Sequence, residues 1–170
     1  MHINNRNLSK KILSWYDNNK RTLPWRISQN SRKKQYYRIL SEFMLQQTQV
    51  KTVIPYFNNF VKKVPSLTAL SNCKEKKVLK LWEGLGYYRR AKNLHQTSKI
   101  LIKKYNGKVP KSFEELKELP GIGDYTANVL LALIYNQPRV ALDGNVKRVL
   151  SRLSNINTED ELNLFKTKRN

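Results

Sequence analysis

Acidic residues are scarce: Asp and Glu number 12 against 33 Lys and Arg, a net charge of +21 on 170 residues. A chain charged this heavily repels itself unless a polyanion lies close, so nucleic acid leads as a partner class and an anionic membrane comes second. The abundance of Lys, Asn, Ile and Tyr fits an AT-rich genome, which inflates lysine but does not explain the shortage of acids. Long apolar runs are missing as well. The longest uncharged one extends only from Val129 to Tyr135, far short of the roughly 20 residues that cross a bilayer. Met1 to Leu8 has no apolar run behind its basic residues, so no secretory signal is visible and a cytoplasmic, nucleoid-associated bacterial address is expected. Cysteine is represented by Cys73 alone, which excludes an internal disulfide framework and any multi-cysteine metal or iron–sulfur site ligated by this chain alone. His2 and His95 have no partners at metal-ligand spacing, so no metal site is expected. No Ser/Gly-rich linker, repeat or alternating strand pattern divides the chain.

What is present reads as helix nearly throughout. Apolar residues recur at helical spacing in Leu8, Ile12, Trp15 and Tyr16, and again in Tyr36, Ile39, Leu40, Phe43 and Met44. Val50, Val53, Ile54 and Phe57 form a third stripe, which Pro55 is expected to bend or delay. Val78, Leu79, Trp82 and Leu85 form a fourth, stopped by Gly86. The longest helix carries Ala91, Leu94, Ser98, Leu101, Ile102 and Tyr105 to Gly107, and Ser112 with Glu115 has the spacing of a capping box. Asp124 is expected to cap a nearly all-apolar helix through Tyr135, the buried centre of the fold. An extended piece from Arg139 to Leu142 leads into an amphipathic helix with Val146, Val149, Leu150 and Leu153, and Thr158 with Glu161 opens a further helical tail. The expectation is one compact all-α domain.

The sharpest local signal is Leu119-Pro120-Gly121-Ile122-Gly123-Asp124-Tyr125-Thr126-Ala127. Glycines at 121 and 123 leave backbone N–H groups free to face outward at a helix N-terminus, where an anion is favoured. This is the form of a helix-hairpin-helix phosphate grip. Together with Thr22-Leu23-Pro24-Trp25-Arg26, Ser41-Glu42-Phe43-Met44-Leu45-Gln46-Gln47-Thr48-Gln49-Val50, Gly84-Leu85-Gly86-Tyr87-Tyr88 and Leu142-Asp143-Gly144-Asn145-Val146-Lys147-Arg148-Val149, it resembles the MutY-type adenine-DNA glycosylases, within the helix-hairpin-helix DNA glycosylases. The blocks run in family order along nearly the whole chain. The resemblance implies an all-α helical bundle of that superfamily: residues 1–24 as the N-terminal helix of an incomplete second helical subdomain, 25–155 as the glycosylase core with its hairpin at 119–127, and 156–170 as a truncated helical tail.

Breaking an N-glycosidic bond asks for an acid that protonates the leaving base and an anion that stabilises the cationic sugar. By resemblance Glu42 is that acid and later activates water, and partial burial against Phe43 and Trp25 would keep it protonated. Asp143 precedes a helix and can cap it while serving as the anion, because the N–H bonds a capping carboxylate accepts favour its charged form. The two should flank one cleft. At 125 the endonuclease III branch, which the hairpin also resembles, carries a lysine that forms a Schiff base; Tyr125 cannot. The implied activity is therefore monofunctional: hydrolysis of adenine mispaired with 8-oxoguanine or guanine in double-stranded DNA, by a monomer. Gln47 and Tyr87 are similar to the family's wedge residues, Trp25 and Leu45 would wall the adenine pocket, and Arg21 and Arg26 could reach the ring nitrogens. Lys147, Arg148, Arg89 and Arg90 are expected to meet phosphates.

Family members carry further helices, four cysteines holding a [4Fe-4S] cluster and commonly an 8-oxoguanine-recognising C-terminal domain. Here the likeness stops near Arg152, so a fragment or truncated product is expected. Two alternatives stay open: a catalytically incompetent helix-hairpin-helix DNA-binding module, and an endonuclease III-like glycosylase/lyase.

Overall fold

The computed structural model describes residues 5–26 and 31–154, and among these it is all helical. The helices are α1 (Asn5–Asn19), α2 (Ser31–Leu45), α3 (Val50–Lys63), α4 (Leu67–Ser71), α5 (Glu75–Leu81), α6 (Arg89–Tyr105), α7 (Phe113–Lys117), α8 (Asp124–Tyr135) and α9 (Gly144–Ser154). The expected tail helix at Thr158 and Glu161 lies outside the described residues.

The centre is shared by α2 and α6, not held by α8 as the apolar composition suggested: α2 packs on α3, α6 and α8, and α6 on α2, α4 and α5, whereas α8 packs on α2 and α7. The reason is in the outer face of α8, where Leu133 is exposed, while α2 buries Tyr36, Ile39, Leu40, Phe43 and Met44. Their spacing wraps nearly half the helix circumference, enough to meet three neighbours at once. The Tyr36 hydroxyl donates to the Val64 carbonyl at 2.6 Å and ties α2 to the end of α3. Aromatic edges interlock behind it, with Trp25 against Phe57 at 5.2 Å and Tyr37 against Phe57 at 5.1 Å.

Helix ends follow local chemistry, with two departures. Pro55 does not delay α3, which begins at Val50 and runs through it, because packing of Val53, Phe57 and Phe60 on one face outweighs the missing N–H. Asp124 is the first residue of α8 and not its cap; Gly123 occupies the cap position without a side-chain bond. The Asp124 carboxylate instead pairs with the Lys117 ammonium across the hairpin, and a negative charge in the first turn suits the helix dipole. Ser112 caps α7 through the Glu115 N–H as its spacing requires. At the other end α6 closes on Asn106 and Gly107, both left-handed at φ 51° and 73°, with the Gly107 N–H reaching back to the Leu101 carbonyl. At the two chain edges Ile12, Leu13 and Trp15 of α1, and Val149 and Leu153 of α9, present exposed apolar side chains.

Candidate active site

The hairpin between α7 and α8 is built into the core by its own backbone. The Pro120 carbonyl accepts from the Thr97 hydroxyl at 3.0 Å, and the Gly121 carbonyl from the Gln46 side-chain amide at 3.1 Å. Gly121 sits at φ 79°, and a Cβ there would lie 2.8 Å from both Phe43 and Asn93. Only glycine lets the turn press this closely on α2 and α6. Gly123 has the opposite surroundings: a Cβ would meet nothing within 4 Å. Among the described residues neither glycine's N–H has an acceptor, which leaves both as donors at the head of α8.

That head also carries Tyr125, half-exposed, whose hydroxyl is pushed above its ordinary value by burial and by the nearby charges of Glu42 and Asp143. One phenol thus feels a carboxylate on α2 and another just before α9. Glu42 lies in the last turn of α2, flanked by buried Ser41 and Phe43. Burial pushes its carboxyl up to about 7, against an opposing pull from Arg38 one helical turn earlier. Asp143 is held differently. Its Oδ1 accepts the Val146 N–H at 2.7 Å, capping α9.

Arg38 is a residue the sequence reasoning missed. It interacts electrostatically with Arg26, Glu42 and Tyr16, is pushed down chiefly by burial, and among the described residues its buried Nε has no acceptor. The signal was its i, i+4 spacing to Glu42, obscured by the neighbouring apolar stripe.

The other expected site residues divide. Gln47 and Tyr87 are exposed and line one cleft of about 410 Å³ together with Arg89. Arg26 donates to the Arg21 carbonyl at 3.1 Å and lies over the Tyr16 ring, on the side of Arg38; the Arg21 side chain is exposed. Lys147 and Arg148 lie in the first turns of α9, with Arg148 bonded to Asn145 at 2.8 Å. Leu45, half-buried, ends α2. Two expectations need correction. Trp25 is only 3% exposed, packed on Phe57, so it supplies core rather than an open wall beside Leu45. Arg90, expected to meet phosphate, is 7% exposed and donates to backbone carbonyls; its place on the stripe of Leu94 and Leu101 turns it inward. His95 is likewise buried. The [4Fe-4S] cluster implied for family members finds no ligand set here. Cys73 is the sole cysteine, and among the described residues no three His, Cys, Asp or Glu side chains gather as metal ligands.

Residues 40–168 match the family model of the HhH-GPD superfamily base excision DNA repair proteins. The chain is 48% identical over 151 residues to the adenine DNA glycosylase of Buchnera aphidicola subsp. Baizongia pistaciae (strain Bp), covering 88% of this chain and 42% of that protein. To the adenine DNA glycosylase of Mus musculus it is 40% identical over 153 residues, covering 87% of this chain and 30% of that one. The chain therefore spans well under half the length of these curated relatives. Among solved structures, a thermostable thymine-DNA glycosylase superposes with a TM-score of 0.75 at 22% identity, over 86% of this chain and 66% of that chain. A non-covalent endonuclease III–DNA complex gives 0.70 at 22%, over 89% and 70%. At that identity the likeness is one of fold, the same helical fold built here around α2 and α6. The family match extends over most of the chain, from the last turns of α2 through the hairpin to the Asp143 cap and beyond α9: the chain belongs to the HhH-GPD superfamily of base excision DNA repair proteins.

Proposed function

We propose that this chain carries the active site of a monofunctional adenine-DNA glycosylase, acting on adenine opposite 8-oxoguanine or guanine in duplex DNA. What supports the reading is Glu42, raised to about 7 by burial, together with the charges of Glu42 and Asp143 both acting on Tyr125. An acid with that value is about half protonated at neutral pH and can both give and regain a proton. In the reaction, the Glu42 carboxyl protonates a ring nitrogen of the extruded adenine. The bond from the sugar to the base then breaks, its electron pair leaving with the base. The Asp143 carboxylate stabilises the resulting oxocarbenium ion, and the Glu42 carboxylate removes a proton from the water that adds to the sugar. Tyr125 stands where an imine-forming amine would be needed for strand cleavage, so the product is an intact abasic strand. The unpaired N–H groups of Gly121 and Gly123 are suited to a backbone phosphate, and the net charge of +21 supplies the long-range attraction.

The test is incubation of the full chain with end-labelled duplexes holding adenine opposite 8-oxoguanine or guanine. Free adenine should accumulate, and strand breaks should appear only after alkali. Breaks forming without alkali at the rate of base release would assign it to the lyase class, and tight binding without release would reduce it to a DNA-binding module.

A further inference from the structure

We propose that Arg90 is a positioning residue that locks together the two turns carrying Gln47 and Tyr87, so that both enter the DNA stack already shaped. The proposal deepens the glycosylase reading and rests on it. Its starting point is backbone conformation. Among the described residues, four besides glycine have positive φ: Gln47 at 55°, Tyr87 at 49°, Asn106 at 51° and Asn136 at 54°. Asn106 and Asn136 are the left-handed caps of α6 and α8, a role asparagine fills at little cost. Gln47 and Tyr87 have no such excuse. A bulky residue persists in this region only where its surroundings over-determine it.

Arg90 supplies that determination. From Nη1 it donates to the carbonyls of Phe43 at 3.3 Å and Met44 at 2.8 Å, and to that of Gln46. From Nη2 it donates to Leu85 at 3.3 Å and Gly86 at 3.1 Å, and from Nε to Tyr87 at 3.4 Å. One edge of the guanidinium thus holds the turn that leads into Gln47, and the other holds the turn that ends on Tyr87. The first set includes the last carbonyls of α2, which have no intrahelical donor and lie at the negative end of the helix dipole. The Trp82 and Tyr87 rings cover the guanidinium, 5.6 and 5.3 Å from its central carbon. No carboxylate among the described residues pairs with it. The cation is solvated by carbonyl dipoles, and a planar fork of five N–H groups is the one side chain able to bridge both turns. Because Glu42 is in the last turn of α2, the same clamp fixes the wedge residues relative to the acid.

Arg90→Lys keeps the charge and offers three donors from one point, too few directions to span the turns. With 2-aminopurine beside the target adenine in a bound duplex, the fluorescence rise that reports unstacking should be lost in this variant. Excision from the duplex should fall roughly 10- to 100-fold, whereas excision of an adenine facing an abasic site, already loosely stacked, should fall far less. An equal loss on both substrates with normal unstacking would make Arg90 merely structural and overturn the proposal. If Arg90→Lys does not fold, hydrogen exchange of the unsubstituted chain decides. The amides around Gln47 and Tyr87 should be protected on the scale of α2 and α6, and exchange at open-loop rates would overturn the clamp. A chain that unstacks 2-aminopurine but releases no adenine would count against the glycosylase reading and not against Arg90.

Discussion

Glu42 and Asp143, whose charges both act on Tyr125, stand on opposite kinds of ground. Glu42 grows out of the packed end of α2, beside fully buried Phe43 and Met44, and partial burial raises its carboxyl to about 7. Asp143 stands on the edge of the molecule, ahead of a helix whose Val149 and Leu153 are exposed, and answers to a backbone N–H at 2.7 Å. A neutral acid needs dryness, whereas an anion needs donors. The fold supplies one from its core and the other from a helix cap, and the division of labour between two chemically similar groups follows from where each is rooted.

The sharpest way to break that comparison is to remove each charge while keeping its shape. Glu42→Gln cannot donate its proton and should lower single-turnover excision by about 10²- to 10⁴-fold. Asp143→Asn should cost about 10²- to 10³-fold through the lost electrostatic stabilisation. Since Asn caps a helix about as well as Asp, its melting temperature and DNA affinity should stay those of the parent. A large drop in melting temperature would mean Asp143 matters as an anion to the fold and not to the reaction.

A second pair of variants separates the core side of the site from its open side. Gly121→Ala drives a methyl into Phe43 and Asn93 at a left-handed φ of 79°, so it should destabilise the chain by roughly 1–3 kcal/mol. Gly123→Ala meets nothing within 4 Å, and its cap backbone is extended, so denaturant melts should move by only a few tenths of a kcal/mol. Its methyl stands where a phosphate would approach, and duplex affinity should fall several-fold. If Gly123→Ala binds DNA unchanged, the hairpin is a packing device and nothing more.

Those glycines are legible in the chain itself because their signal is local: a fixed turn between a capping Ser112 and an apolar helix. The same holds for α6, whose stripe of Ala91, Leu94, Ser98 and Leu101 is all buried. What escapes such a reading is set by distant parts of the chain. Helix α4 has only five residues, too few to show a period. Gln47 and Tyr87 take positive φ because Arg90 holds their turns, which no window around either residue contains. Arg90 itself is readable, since counting back one turn from Leu94 along the buried face lands on it, but a basic pair in a basic chain invites the phosphate reading for both Arg89 and Arg90. The family resemblance names the carboxylates; only the fold shows that Arg38 stands behind one of them.

The pH response tests whether burial governs Glu42. With its carboxyl raised from 4.5 to about 7, the folded chain keeps a proton that the unfolded chain releases between those values. Stability therefore falls as pH rises through this window, and the loss is complete above it. Glu42→Gln escapes the loss, so its melting temperature relative to the parent should climb between about pH 5 and about pH 8. Excision by the parent should decline above pH about 7 as the acid loses its proton. A gap that stays flat with pH would place Glu42 in water and remove the contrast with Asp143.

The smallest expected effect belongs to Arg38, and it sharpens the same contrast from within α2. Its guanidinium opposes the burial that raises Glu42, and it is itself faced by Arg26 from the turn after Pro24 and by Tyr16 from α1. On α8, Tyr125 feels the charges of both Glu42 and Asp143. Taking away the cation leaves burial unopposed, so Arg38→Gln should move the alkaline limb of the excision profile upward. Near pH 8 it should excise a few-fold faster, relative to its own maximum, than the parent does. Among the described residues the Arg38 Nε has no acceptor, so the substitution strands no hydrogen-bond partner of that group there and the melting temperature should change little. A limb that moves downward instead would mean that Arg38 steadies the neutral acid through water or through Arg26, and that dryness alone does not set the protonation of Glu42.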